Sequence, residues 1–414
     1  MNEFSEEDDV QTTRRWIVLF GGFLLSLMGG MSYAWGSFVL PLVNGWGWST
    51  AEANLPFTVM IIVFALVMIP AGGLQDKYGP RKVATVGAVM FLVGYTSAAL
   101  MRHFPSPGWL TVTYGVGVGV ACGLTYATIA PTARKWFPDR PGFAVSCAVM
   151  GFGLAAVIFA PLKKQMIDLW GVDGTLFVLG IFVAVVAMVG TRLVRNPPPG
   201  WVPSSNNPDS PPSSKAAQTV SISPGEFVRT PRFFILWLAL AAVIGGGLTA
   251  ISLLTAYGEL ELQLAPAVAA LAVSFYSLAN GVGRPFVGWL ADRKGTMRVM
   301  LIVYTVQATV FIALPWVATT PLRLFVCSLF LGLGYATTFA LFPVVVAAVS
   351  GTRYLGMNYG LVFSAFGVGA ITSLLGSWLL DVTGEFTAAF LLAGFATVFG
   401  LTLLFILNKK YEVA

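Results

Sequence analysis

Long apolar segments separated by short polar stretches make up most of the chain between residues 16 and 408. A helix needs about 20 consecutive apolar residues to cross a bilayer, because each residue advances it by about 1.5 Å. This pattern predicts an all-α membrane protein. It predicts twelve transmembrane helices, at roughly 16–43, 53–75, 83–101, 107–133, 142–162, 173–195, 233–257, 265–290, 297–319, 321–349, 358–381 and 386–408.

The composition agrees with a chain that lies in lipid. The 414 residues are 57% hydrophobic and only 10% charged, whereas a soluble protein carries about 25% charged residues. The net charge of +6 could indicate nucleic acid, but the basic residues lie in short loops, so we expect a lipid bilayer and no nucleic-acid partner. The three cysteines lie in apolar runs without metal-ligand spacing, so we predict no metal and no cofactor.

The basic residues also predict the orientation of the chain. Most of them fall in loops on the side of the N-terminus, which places both termini in the cytoplasm of the cell inner (plasma) membrane. The first apolar run is too long for a signal-peptide core, so we interpret it as a retained helix. The predicted outer loops hold only Arg102, Lys163, Lys164 and Arg323.

A proline- and serine-rich segment divides the chain. Residues 196–232 lack an apolar period and predict a flexible cytoplasmic linker. The linker would join an N-terminal six-helix half, residues 1–195, to a C-terminal six-helix half, residues 233–414.

The two halves carry the same loop. GGLQDKYGPRK (72–82) follows the second predicted helix and GWLADRKGTMR (288–298) follows the eighth. A solvated basic loop would explain the charges but not the repeated spacing, so a duplicated bundle is indicated. The two carboxylates can pair with basic residues across the cytoplasmic face. We therefore predict a conformational latch formed by Gly72, Asp76, Arg81, Gly288, Asp292 and Arg293.

One arginine, Arg284, lies within the apolar run 265–290. A cation at membrane depth costs at least ~2.5–3.5 kcal/mol on insertion scales, so it should face a polar cavity. Asn280 lies four residues earlier and shares its helix face. All acidic residues fall in loops, tails or helix ends, which predicts that Arg284 is the sole charge in the membrane core. It would bind a monoanion; the alternative is a structural arginine that caps carbonyls between helices.

Three aromatic residues, Tyr126, Phe339 and Phe363, fall near the predicted depth of Arg284, and Tyr335 lies one turn deeper. Tyrosine hydroxyls can bond to a carboxylate, and rings limit the size of a cavity. The alternative for each ring is helix packing, and for Asn280 it is a packing hydrogen bond. The predicted substrate site consists of Arg284, Asn280, Tyr126, Tyr335, Phe339 and Phe363.

The twelve helices, the linker and the duplicated loop resemble the major facilitator superfamily. Four further stretches are distinctive: MSYAWGSFVLPL (31–42), APTARKWFPDRPGFAVSCAVMGFG (130–153), EFVRTPRFFILW (226–237) and NGVGRPFVGWLAD (280–292). Together they resemble the monocarboxylate transporter family, in particular its bacterial branch near the oxalate/formate exchangers. The resemblance implies transport of small carboxylates by alternating access, with Arg284 binding the carboxylate.

The sequence departs from these relatives at three positions. Animal monocarboxylate transporters usually have an aspartate where this chain has Asn280, and a lysine where it has Ser37. Oxalate exchangers carry a lysine at the position of Phe366. The departures argue against animal-type proton coupling and against binding of a dianion by two cations.

The leading hypothesis is a transporter of small monocarboxylates such as lactate or pyruvate, coupled 1:1 to protons and acting as a monomer. Uptake of a lone anion against a negative potential costs ~2.3 kcal/mol per 100 mV, and one proton cancels that charge. The alternative is a proton-independent carboxylate exchanger. A membrane enzyme is not predicted, because the sequence has no Ser/His/Asp, metal-ligand or phosphate-loop pattern.

Overall fold

The computed structural model describes residues 3–198, 201 and 221–411, so most of the predicted linker lies outside the described residues. The described residues form α-helices and no β-strand, which confirms the all-α prediction. The α-helices are α1 (Glu3–Gly30), α2 (Gly36–Trp46), α3 (Thr50–Tyr78), α4 (Pro80–Ala99), α5 (Pro107–Leu110), α6 (Gly117–Tyr126), α7 (Ile129–Trp136), α8 (Pro141–Leu193), α9 (Pro224–Phe227), α10 (Pro231–Leu260), α11 (Pro266–Lys294), α12 (Thr296–Val317), α13 (Pro321–Ser350), α14 (Leu355–Phe363), α15 (Ala365–Thr383) and α16 (Phe386–Tyr411).

Eleven segments of the described residues are long and apolar enough to cross a membrane, and α8 crosses it twice. Its 53 residues would extend about 80 Å, more than twice the ~30 Å thickness of the hydrocarbon core. The helix breaks at Gly171, whose φ of 69° suits a residue without a Cβ. Gly151 before the break and Gly190 after it both pack against α1. The chain therefore reverses at Gly171, and the twelve predicted crossings are confirmed.

The position of this break corrects one sequence-based boundary. The predicted loop between residues 162 and 173 is helical up to Gly171. The segment KKQMIDLW holds no glycine or proline, and lysine, glutamine and methionine favour helices, so polar side chains alone do not end the helix there. Lys163 consequently lies inside a membrane-spanning helix.

Three spans are interrupted. A 3-10 segment, Met31–Trp35, separates α1 from α2 and contains the non-helical residue Ala34 (φ −84°, ψ 28°). A π-helical segment, Thr111–Val116, lies in the fourth span, and a turn at Ser364 separates α14 from α15. Irregular backbone at membrane depth is tolerated where it is buried in protein or lines a cavity. The interruptions therefore mark the interior of the bundle.

The two halves meet through small residues. On α8 a Cβ added to Gly153 would lie 2.8 Å from the Cα of Gly281 on α11. On the other side Gly72 of α3 faces Gly356 of α14. Small residues let the helix backbones approach closely. We call the end of the bundle with the repeated loops the motif end, and the opposite end the far end.

Candidate functional site

Arg284 lies in the interior of the protein and is 1% exposed. Its Nε and Nη2 donate to Oδ1 of Asn280 at 3.3 and 3.1 Å, and its Nη1 donates to the carbonyl of Val149 on α8 at 2.6 Å. The Phe339 ring lies beside the guanidinium, 4.8 Å from Cζ to the ring centroid. Asn280 and Val149 thus fix the orientation of the guanidinium without neutralising its charge.

The hydrogen bonds of Arg284 leave two donors. A guanidinium has five N–H groups, one on Nε and two on each Nη. Three of them are used, so one N–H on Nη1 and one on Nη2 make no hydrogen bond of good geometry among the described residues. The buried hydroxyls of Tyr126 and Tyr335 lie near enough to act on this charge, yet neither makes a hydrogen bond of good geometry within the described part of the chain. Two remaining N–H groups on one guanidinium, with hydroxyls nearby, suit a carboxylate.

A cavity of about 110 Å³ lies against this group. It extends from Arg284 toward the far end, where its walls are half-exposed, so it opens toward that end. For comparison, a cavity of ~150 Å³ takes up benzene, a molecule of six heavy atoms. The lining residues are Tyr33, Phe152, Gly153, Ala156, Ile251, Val273, Tyr276, Ser277, Asn280, Arg284, Tyr335 and Phe339.

The structure brings four of the six predicted site residues to this cavity: Arg284, Asn280, Tyr335 and Phe339. Tyr126 and Phe363 do not line it. They pack 5.8 Å apart, between ring centroids, in a buried aromatic layer on the motif-end side of the cavity. That layer also contains Phe64, Phe152 and Phe366. Counting residues from the helix ends gives their depth but not which way each side chain points.

Sequence reasoning missed the contribution of α8. Phe152 lines the cavity, and its ring contacts Tyr33 with centroids 5.0 Å apart. The sequence did contain a signal for this contribution. Gly151 and Gly153 flank Phe152, and glycines mark positions where two helices approach closely. Gly153 meets Gly281 on α11, and this contact holds α8 beside Arg284.

The two repeated aspartates join the halves at the motif end. Asp292 on α11 accepts hydrogen bonds from the backbone N–H groups of Gly142 and Phe143, both at 2.7 Å. Asp76 on α3 accepts from Gly356 and Met357 at 3.2 and 3.0 Å. Each carboxylate therefore caps the N-terminus of a helix in the opposite half, where the helix dipole favours negative charge.

The expectation from the sequence is that the carboxylates pair with basic residues across the cytoplasmic face. Arg134 lies near enough to Asp292, and Lys135 to Asp76, for their charges to interact, but the hydrogen bonds of both carboxylates go to backbone N–H groups. Arg81 donates to the carbonyl of Arg192 at 2.5 Å, and Arg293 lies over the ring of Trp289. Neither arginine forms an ion pair within the described ranges. Gly72 and Gly288 make the close backbone approach possible, since a side chain on either would overlap the facing helix. The sequence gives the position of the carboxylates but not their partners, because backbone amides leave no signature in it.

Lys163 is a second buried basic residue, so the prediction that left Arg284 as the sole ionisable side chain in the membrane core is wrong. Its side chain is 0% exposed, and Nζ donates to the carbonyl of Met31 at 2.8 Å. Met31 lies close to the middle of the first span, Thr13–Trp46. The prediction failed because α8 extends to Gly171 and the long side chain reaches back to the interrupted segment.

Known proteins share both the sequence pattern and the fold. A family model for the Major Facilitator Superfamily matches residues 18–320 and 253–413. The oxalate:formate antiporter of Oxalobacter formigenes is 29% identical over 353 residues, which are 85% of this chain and 81% of that protein. Monocarboxylate transporter 12 of Rattus norvegicus is 28% identical over 338 residues, or 76% of this chain and 69% of that protein.

A solved structure agrees in fold. The transporter FucP in the outward conformation superposes with a TM-score of 0.72 at 15% identity, covering 95% of this chain and 99% of that chain. At this identity the likeness concerns the fold alone. The family match spans almost the whole chain, and the twelve crossings agree with it. The protein is therefore a multi-pass membrane transporter rather than an enzyme, and the chain belongs to the major facilitator superfamily.

Proposed function

We propose that this protein carries small monocarboxylates, such as lactate or pyruvate, across the membrane by alternating access. The observation that carries the proposal is the pair of N–H donors on Nη1 and Nη2 of Arg284, which make no hydrogen bond of good geometry among the described residues, while Arg284 borders a cavity. A carboxylate can accept from both at once, and such a bidentate pair is stronger than two neutral hydrogen bonds. The names of the two relatives above support the same substrate class.

Asn280 supports the choice of an anionic substrate. It is neutral, so its two hydrogen bonds orient Arg284 and leave the positive charge for the substrate. Tyr335 would bond to the carboxylate or to a substrate hydroxyl, and Phe339 would cover the guanidinium. The volume of about 110 Å³ suits a carboxylate with a short carbon chain better than a larger solute.

The two aspartates would act as the conformational latch. In the structure both carboxylates bridge the halves at the motif end while the cavity opens toward the far end. We assign the motif end to the cytoplasm, with both termini on that side of the plasma membrane, because the basic loops lie there. Substrate would then enter from outside. Breaking of the bridges would let the two halves, which the proposed linker 196–232 joins, rock about the substrate site. Nothing in this cycle requires more than one subunit.

We further propose that one proton accompanies each anion, which makes the transport electroneutral. Without it, each anion moved inward costs ~2.3 kcal/mol per 100 mV of inside-negative potential. The second candidate is exchange of one carboxylate for another without protons. The similarity to the oxalate:formate antiporter favours that candidate.

Uptake of radiolabelled L-lactate into proteoliposomes separates these proposals. We expect an inward proton gradient to drive accumulation in vesicles that contain no lactate, and Arg284→Ala to abolish it. Uptake that needs internal carboxylate and ignores the gradient would favour the exchanger. Unchanged uptake by a folded Arg284→Ala variant would contradict the binding site itself.

A further inference from the structure

Lys163 on α8 is completely buried in the first half. Its Nζ lies 2.8 Å from the carbonyl oxygen of Met31 and 3.5 Å from that of Ala34. The ring of Phe38 on α2 covers it, with 5.2 Å between Nζ and the centroid. Both carbonyls belong to the interrupted segment Met31–Trp35, where regular helical hydrogen bonding breaks down.

No carboxylate of the described residues forms an ion pair with this lysine. Within the described ranges the single ion pair joins Arg15 to Asp139 at the motif end. The helix α2 carries no titratable side chain. None of the titratable groups on the other surrounding elements forms a hydrogen bond or ion pair with Nζ in the described part of the protein. These groups are Tyr33, Tyr95, Tyr114, Cys122, Lys164, Asp168 and Asp173.

The number of acceptors suits an uncharged amine. An ammonium has three N–H donors, whereas a neutral amine has two and keeps a lone pair. Two carbonyls face Nζ, one for each donor of the amine. A buried charge without a partner is costly, and a buried lysine gives up its proton readily. This conformation therefore favours the uncharged form, and a conformation that admits water or an anion would favour the charged form.

Lys163 and the substrate cavity share two structural elements, the interrupted segment and α8. Tyr33 lines the cavity and lies in the chain between Met31 and Ala34, whose carbonyls hold Nζ. On α8, Ala156 lines the cavity two turns before Lys163 and on the same helix face. A shift of α8 against the interrupted segment would change both sites together.

We propose that Lys163 is the proton-carrying group of the transport cycle, an inference that rests on the proton symport proposed above. A proton from the aqueous phase bonds to the lone pair of Nζ when α8 and the interrupted segment rearrange around the bound anion. The ammonium crosses with the anion held by Arg284, so the moving charges cancel. Loss of the proton on the opposite side restores the amine, and no other bond forms or breaks.

Two flux measurements in proteoliposomes test this role. Counterflow of radiolabelled L-lactate against internal L-lactate at equal pH requires binding and alternating access but no net proton movement. Accumulation in lactate-free vesicles under a gradient of one pH unit should reach about tenfold for a 1:1 symport. The variants are Lys163→Met, of similar length but without a proton site, and Lys163→Arg, which keeps a permanent charge and its donors. Lys164→Met, on the neighbouring exposed lysine, is the control.

We expect both Lys163 variants to keep counterflow and to lose gradient-driven accumulation, while Lys164→Met behaves like wild type. Accumulation by Lys163→Met would overturn the proposal, because transport would then need no proton site at residue 163. Accumulation by Lys163→Arg would also overturn it, because a fixed donor would then be sufficient. Loss of counterflow in both variants would also overturn it and would indicate a structural role. A wild-type protein that transports lactate without responding to the gradient would instead contradict the proposed symport.

Discussion

Replacement of Asp292 by asparagine should shift the conformational equilibrium toward the form that opens at the motif end. Its carboxylate accepts two hydrogen bonds, each of 2.7 Å, from the first turn of α8. Hydrogen bonds to charged groups contribute ~1.5–3 kcal/mol. Because Asp292 is exposed, we take the lower value for the one bond that asparagine cannot replace.

The lost negative charge at the helix N-terminus adds ~0.5 kcal/mol, which gives about 2 kcal/mol in total. That free energy corresponds to a change of about 30-fold in the ratio of the two conformations. The equivalent change at Asp76 acts on a separate interface, so the two effects should add.

The assay is a distance measurement between spin labels at the far end, on the exposed positions Leu169 of α8 and Leu260 of α10, in a background without native cysteines. We expect Asp292→Asn to reduce the population with the longer distance. The matched control is Asp139→Asn, which removes a carboxylate at the same end that pairs with Arg15 within the first half. A distance distribution that is the same in Asp292→Asn and wild type would refute the assigned role, and so would an equal shift in the control.

Two further substitutions test the site and the interface. Tyr335→Phe should weaken lactate binding about fivefold without lowering the melting temperature, because its hydroxyl has no partner to lose among the described residues. The control is Tyr304→Phe, which breaks a 3.0 Å hydrogen bond to Thr338 and should lower the melting temperature. Gly153→Ala should slow counterflow, since its Cβ would lie 2.8 Å from the Cα of Gly281, whereas Gly36→Ala, with open space around it, should not. Unchanged binding in Tyr335→Phe, or equal rates for the two glycine variants, would contradict these assignments.

The sequence predicts the spans because the cost of burying charge in lipid determines where apolar segments begin and end. It also predicts the pairing of Arg284 with Asn280, since residues four apart share a helix face. Both features depend on local spacing alone. The structure confirms the twelve crossings and brings the two side chains together.

The remaining features depend on tertiary contacts that local spacing does not encode. The polarity of Lys163 predicts a loop residue, but it lies in a helix. Its Nζ reaches two backbone carbonyl oxygens that the break at Ala34 leaves available. Tyr126 and Phe363 have the right depth, yet each directly precedes a break in its span, so their rings turn into the aromatic layer. The partners of Asp292 are backbone amides of the opposite half, which any residue could supply.

The most direct test of the carboxylate site is calorimetric titration of L-lactate into purified wild-type protein and Arg284→Lys. The lysine keeps the charge but loses the fork of N–H donors, so we expect affinity to fall about 10- to 100-fold with the protein still folded. Arg323→Lys makes the same exchange at an exposed position of the far end and should bind like wild type. Equal affinity in wild type and Arg284→Lys would contradict the assignment of Arg284 as the carboxylate-binding residue.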